Sequence, residues 1–222
     1  MGKIETTREW VRYTEDFLGP MTLTASPTQG DQWDIADTSA AGTPTYTVGG
    51  INGEATLALD ATSEVQNVCL FKSDVLNWDI DLLRYAQFRV KTVAALDSAT
   101  SLAFGLCSAR NDAIDSLTAH ASFRLIGSNA ILVESDDGTT DKDDIATGAS
   151  LVATYKWFFI DFAGGKANVK FQVDEARVAP VTTFDMSAYS AGLQPYVQIQ
   201  KTADTNADSV VIDYVEILSR RY

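Results

Sequence analysis

"YKWFFIDFAGGKANVKFQVDEARV", residues 155–178, is the stretch whose reading decides the fold of this chain. Its first eight residues put Trp157, Phe159 and Asp161 on one face of an extended segment and Phe158, Ile160 and Phe162 on the other, because side chains alternate along a strand. Bulk on both faces marks a central strand rather than a sugar-stacking platform. Gly164 and Gly165 supply a bend, and "NVKFQVDEARV" then returns with Val169, Phe171 and Val173 opposite Lys170, Gln172 and Asp174. That is the pattern of an antiparallel hairpin.

The same period of two recurs outward from this stretch. "ATLALD" sets Leu57 and Leu59 on one face, and "QFRVKTV" turns Phe88 and Val90 inward and Arg89 and Lys91 outward. "ASFRLI" pairs Phe123 with Leu125, and "NAILVES" pairs Ile131 with Val133. Near the C-terminus, Val197 and Ile199 oppose Tyr196, Gln198 and Gln200. "SVVIDYVEILSR" is apolar on both sides, with Val211, Val215 and Ile217 against Val210, Ile212, Tyr214 and Leu218. Short helical turns are expected only in "SDVLNWDIDLLRYAQF" and "TTFDMSAYSAG". The helices of a βαβ fold are missing, so the sequence predicts an all-β chain: a jelly-roll sandwich of two antiparallel sheets with one or two short helices.

The polar runs at 97–101, 108–119, 134–150 and 201–209 read as loops, and the Thr, Ser, Pro and Gly-rich text of 20–55 as turns. Residues 1–19 read as an N-terminal arm carrying Trp10 and Tyr13, and 20–222 as one sandwich domain. With 222 residues and 45% apolar content the chain has material for a single large core. Thirty acidic against seventeen basic residues give a formal charge of -13, which repels a phosphate backbone and excludes nucleic acid as the expected partner. No stretch approaches the roughly 18 apolar residues of a membrane span. The start lacks a signal-like apolar run, so synthesis in a cytoplasm is expected. Cys69 and Cys107 lie in apolar, strand-like text and read as buried thiols, with a single bridge as the other reading.

"WFFIDF", "VKFQVDEARVAPVTTF" and "PYVQIQ" with "SVVIDYVEIL" resemble the closing third of concanavalin A-like jelly-roll domains. "EDF", "GINGEATLAL" and "FRVK" resemble their opening. That superfamily includes lectins, glycoside hydrolases and structural or adhesion domains, so the resemblance implies a fold and leaves function to the chemistry of a site.

Jelly-roll hydrolases resembling this fold carry two Glu flanking an Asp on one strand face. Here Asp79 and Asp81 are the nearest approach, with Leu83 where a third carboxylate belongs. His120 is the only histidine and has no nucleophile motif beside it. No enzyme is therefore expected. Asp204, Asn206 and Asp208 resemble the first half of a calcium loop, although Ser209 and Val215 stand where its glycine and closing Glu belong. The run from Glu134 to Asp144 gathers further carboxylates.

The resulting expectation is a non-enzymatic virion structural protein in the style of bacteriophage decoration, cement or head-associated proteins. It would be a homo-oligomer in the virion, touching a major capsid or other virion protein through Trp10 and Tyr13. The alternative is a calcium-dependent, lectin-like carbohydrate-binding module with calcium at Asp204, Asn206 and Asp208 and an exposed Trp33 or Trp78 stacking on sugar. A glycoside hydrolase around Asp79 and Asp81 is the distant third.

Overall fold

The computed structural model describes residues 2–19, 21–24, 33–50, 52–75 and 77–221. The turn-rich reading of 25–32 lies outside them. The strands in chain order begin with β1 (Lys3–Thr6), β2 (Trp10–Glu15), β3 (Asp34–Asp37), β4 (Thr45–Gly49), β5 (Glu54–Ala58) and β6 (Glu64–Phe71). Next come β7 (Trp78–Asp79), β8 (Leu83–Thr92), β9 (Thr100–Cys107), β10 (His120–Ile126), β11 (Ala130–Asp136) and β12 (Asp141–Ser150). The last are β13 (Lys156–Asp161), β14 (Lys170–Val173), β15 (Ala176–Val178), β16 (Gly192–Asp204) and β17 (Ser209–Arg220).

They form two antiparallel sheets. The first runs β1-β2-β17-β8-β13-β14-β15, with β5 also on β17 and β4 on β5. The second runs β12-β11-β10-β9-β16-β6-β3, with β7 on β16. The fold is thus the expected jelly-roll sandwich. Among the described residues its helical content is two 3-10 turns, at Ile114–Ser116 and Lys166–Asn168. Neither falls where the sequence predicted one: the spacing of Val75, Trp78 and Leu82 leads into β7 and β8 instead, where backbone pairing satisfies the chain.

The opening stretch joins the two layers. Phe158 and Phe171 of the first sheet meet Phe104 and Phe123 of the second, with Phe158 edge-on to both at 4.7 and 4.8 Å between centroids. Edge-to-face pairs of this kind add about 0.5–1.5 kcal/mol each beyond area burial. β13 is the expected central strand, flanked by β8 and β14.

"NVKFQVDEARV" differs from its reading as one returning strand. Asp174 and Glu175 both adopt positive φ, 48° and 67°, and fold it into the β14–β15 hairpin, the geometry of a two-residue turn that Gly and Asn usually signal. The acidic run 134–150 is likewise a hairpin, β11 with β12, rather than a loop. Charge on an edge strand such as β12 discourages pairing with another chain.

Residues read as an arm lie within the first sheet, β2 pairing with β17. Among the described residues no helix is long and apolar enough to cross a membrane.

Candidate functional site

Alternation leaves each sheet an outer face, and the two differ. On the first sheet the cross-strand register sets Trp157 beside Arg89 and Arg89 beside Tyr214. One row along, Phe159 lies between Gln172 and Gln87. Tyr214 reaches this face through a β-bulge: the register of β17 against β8 shifts between Ile212 and Tyr214. The extra residue, Asp213, moves Val215 and Ile217 into the core beside Val210 and Ile212. A one-residue shift exchanges the faces of everything that follows, so the uninterrupted alternation read from the sequence is corrected here.

The tyrosines around this face are tethered. Tyr85 and Tyr214 both donate their hydroxyls to Glu216, and Tyr155 donates to Glu54. Burial and the Glu216 hydrogen bond push Tyr85 up to about 12. Arg89 ion-pairs with Asp213 and lies over the Tyr155 and Trp157 rings, at 4.4 and 5.6 Å. Tyr85 stacks on Phe159 with centroids 4.8 Å apart. Lys91 pairs with Glu54 at 3.4 Å, Arg12 with Glu216 at 3.5 Å, and Lys156 with Asp174.

Within this frame a depression of about 330 Å³ is lined by Gln87, Trp157, Phe159, Gln172 and Glu175. Trp157 is 39% exposed. Among the described residues neither glutamine amide makes a side-chain hydrogen bond. Apolar planes with a few unengaged hydrogen-bonding groups are the general composition of a ligand site. The opening stretch is therefore both a central strand and, on its outer side, an aromatic surface; the sequence reading had treated these as exclusive.

The outer face of the second sheet is closed. Residues 108–119 fold across it as a strap whose neck is tied by Ser108 N to Ala119 O at 2.8 Å. Its Ile114 and Leu117 pack on Cys69, Phe71, Cys107 and Tyr196. Gln198 Nε2 donates to the strap carbonyls of Asn111 and Asp112, both at 3.1 Å. Both cysteines are free and buried, and burial raises their thiols well above the ordinary range.

Beside the strap, Arg124 Nη1 contacts Glu134 Oε1 at 2.9 Å, Asp144 Oδ1 at 3.9 Å, and Asp115 of the strap. His120 Nε2 lies 3.5 Å from Glu134 Oε2. Burial works to raise Glu134, but the neighbouring His120 and Asp144 and the Arg124 charge hold it down at about 2. Burial and the hydrogen bond with Glu134 push Asp144 up to about 6. Among the described residues both ring nitrogens of His120 and Gln198 Oε1 are buried without a hydrogen-bond partner.

The residues singled out from sequence fall elsewhere. Trp33 and Trp78 are 2% and 7% exposed, Trp33 against Phe17 and Trp78 edge-on to Tyr13 at 5.5 Å. The expected exposed stacking indoles are thus core residues, although Trp78 also edges a 310 Å³ cavity with Lys72 and Asn77. Tyr13, 3% exposed, belongs to the same core, which corrects its assignment to partner contact. Trp10 is half-buried between the Arg84 and Arg220 guanidinium groups, 5.9 and 5.5 Å from its ring. Asp79 and Asp81 do not form a catalytic pair: Asp79 Oδ1 accepts from the Asp81 backbone at 2.9 Å, and Asp81 pairs with Lys166 at 2.9 Å.

Asp204, Asn206 and Asp208 do not converge. Asp204 Oδ1 accepts from Asn206 N at 2.6 Å, while Asp208 Oδ2 accepts from Asp97 N at 2.9 Å. The carbonyls of Asp204 and Asn206 instead receive the Lys201 ammonium at 2.8 and 3.0 Å, which also donates to the Thr62 carbonyl at 3.0 Å and to that of Asp60. Lys201 is 2% exposed. Among the described residues no three His, Cys, Asp or Glu stand close enough to hold a metal ion.

No family model matches the chain, and no curated protein matches it. Solved structures do. A protein of unknown function from Shewanella oneidensis superposes with a TM-score of 0.62 at 11% identity, over 96% of this chain and 88% of that one. The Emp47p carbohydrate recognition domain gives 0.61 at 11%, over 98% and 97%. The Bacillus licheniformis β-glucanase gives 0.62 at 12%, over 96% and 99%. At these identities the likeness is one of fold. It overturns the virion structural expectation, together with the capsid partners drawn from it, because the likeness is to a carbohydrate recognition domain and a β-glucanase. The expectation of no enzymatic activity is corrected on the same ground, since the fold is shared with a glucanase.

Proposed function

We propose that this chain is a carbohydrate-binding domain that holds a glycan against the aromatic outer face of its first sheet. One observation carries the reading: Trp157 and Phe159 stand exposed and half-exposed in a depression flanked by the unengaged amides of Gln87 and Gln172. A pyranose ring has an apolar face that an aromatic plane desolvates, and edge hydroxyls that amides can both donate to and accept from. The tethered tyrosines and ion pairs around the depression fix it in advance, which reduces the ordering cost of binding. The fold likeness to a carbohydrate recognition domain and to a glucanase supports the same class of ligand.

The test is a glycan array followed by calorimetry on wild type and Trp157→Ala. Saturable binding that falls at least about tenfold in the variant supports the site. Equal binding by both proteins removes it from this face.

A second reading, glycoside cleavage, is favoured by the Glu134–Asp144 pair, whose environments push two carboxyls apart to about 2 and about 6. Separated values of this kind are how acid and base roles are divided at one site. Glu134 is buried, however, and ion-paired with Arg124 at 2.9 Å, which withholds it from a substrate. Binding is therefore the leading reading. Release of reducing ends from a polysaccharide by wild type but not by Asp144→Asn would support cleavage.

A further inference from the structure

The charges around the aromatic depression are balanced in a way the rest of the chain is not. Arg89, Lys91, Arg12 and Lys156 each carry an acidic partner on the same face. Asp161 and Lys170 are register partners across β13 and β14. Exposed Glu175, at the rim, is answered by exposed Arg177, which sits opposite Gln172. The charged pairs around the depression therefore cancel, although the whole chain carries -13, and Arg84 and Arg220, which hold Trp10 on the same sheet, are not among the residues that line it. The groups left for a ligand inside the depression are two neutral amides and two aromatic planes.

Their layout adds a direction. Trp157 and Phe159 are two residues apart on β13, so their stems stand about 7 Å from each other along the strand. Gln87 and Gln172 flank Phe159 from the neighbouring strands, each about 4.8 Å to one side. A ring stacked on Phe159 thus meets an amide at both edges, and the next ring continues toward Trp157.

We infer that the depression selects an uncharged, unbranched glycan lying along β13, with free hydroxyls on both edges, and discriminates against polyuronates. The inference rests on the carbohydrate-binding reading above. An anionic polysaccharide meets long-range repulsion from the acidic chain and no cationic side chain among those lining the depression to offset it at short range. A neutral chain feels neither, so its affinity is independent of ionic strength.

The experiment is native affinity electrophoresis in gels containing hydroxyethylcellulose or polygalacturonate, each at low and high salt. The proteins are wild type, Trp157→Ala, the conservative Trp157→Phe and the double variant Gln87→Ala with Gln172→Ala, all checked for native circular dichroism. The expected result is retardation of wild type by the neutral polymer alone, equal at both salt levels. It should be reduced about tenfold or more in Trp157→Ala, partly restored in Trp157→Phe, and reduced in the glutamine variant. Polygalacturonate should fail even at high salt, where long-range repulsion is screened. Trp157-dependent retention that is stronger on polygalacturonate overturns the selectivity and leaves carbohydrate binding standing. Absence of Trp157-dependent retention on either polymer overturns both.

Discussion

The two outer faces of this sandwich are made from the same strand periodicity and end in opposite states. On the first sheet, the outward residues of β8, β13 and β17 include aromatic rings and half-buried ion pairs, with a depression open to solvent between them. On the second, the outward residues that lie under the strap, among them Ser122, Arg124, Glu134, Tyr196 and Gln198, are buried. Burying Arg124 and Glu134 together is tolerable only because each satisfies the other. The rings of the first face need no such partner, since an exposed aromatic costs little and keeps its plane for a ligand. A surface can thus be reserved for binding by leaving aromatic rings outside, while the mixed apolar and polar patch on the other face is closed by a strap that packs on its rings and thiols and caps its glutamine.

The sharpest way to break this contrast is to damage the sealed side. Glu134→Ala leaves the Arg124 guanidinium buried with less compensation and should cost about 3–5 kcal/mol of stability, read by urea unfolding, with the strap exposed to proteolysis. If the loss is under about 1 kcal/mol, the face is wetter than its burial implies. Leu117→Ala empties a site where strap meets sheet and should cost about 2–4 kcal/mol, with glycan binding at the opposite face unchanged. Coupled loss of binding would show that the two faces are not independent.

Trp157→Ala should do the reverse: a fall in Tm corresponding to no more than about 1 kcal/mol, accompanied by the loss of glycan affinity. A large drop in Tm would mean that this ring is structural.

The smallest effect is on pH. Asp144, raised from 3.8 to about 6, contributes stability that is fully present below about pH 4 and is lost as pH rises through 6. Glu134, lowered from 4.5 to about 2, contributes stability present above about pH 4.5 and lost as pH falls through 2. Tm should therefore decline gently between pH 4 and 6 in wild type, and Asp144→Asn should flatten that slope. A slope unchanged in the variant would assign it to other groups.

Most strands were legible because the core side obeys a period of two: Phe88 and Val90, Phe123 and Leu125, and Ile131 and Val133 are all buried as the alternation requires. What escaped was whatever depends on a break in that period or on a remote segment. The bulge at Asp213 has no sequence mark, yet it decides that Tyr214 faces outward. The Asp174–Glu175 turn lacks the usual Gly or Asn. The sealed face is invisible locally, since Ser122 and Arg124 alternate as solvent-facing residues do and only the strap makes them interior. The stacking role given to Trp33 and Trp78 and the partner contact given to Tyr13 fail for the same reason: aromatic residues amid polar text are open to either reading until a distant layer closes over them. The aromatic depression was half legible, because Trp157 and Phe159 were read as sharing one face while nothing local marked that face as the open one.

Lys201 has a consequence for the rim of the molecule. The turn through Asp60 and Thr62 carries the chain from β5 in the first sheet to β6 in the second, and that through Asp204 and Asn206 carries it back from β16 to β17. One ammonium group is shared by both crossings. It works as a counter-ion that is covalently leashed, so neither dilution nor a chelator can strip it, and the two crossings stay clipped together at any ionic composition the folded chain meets.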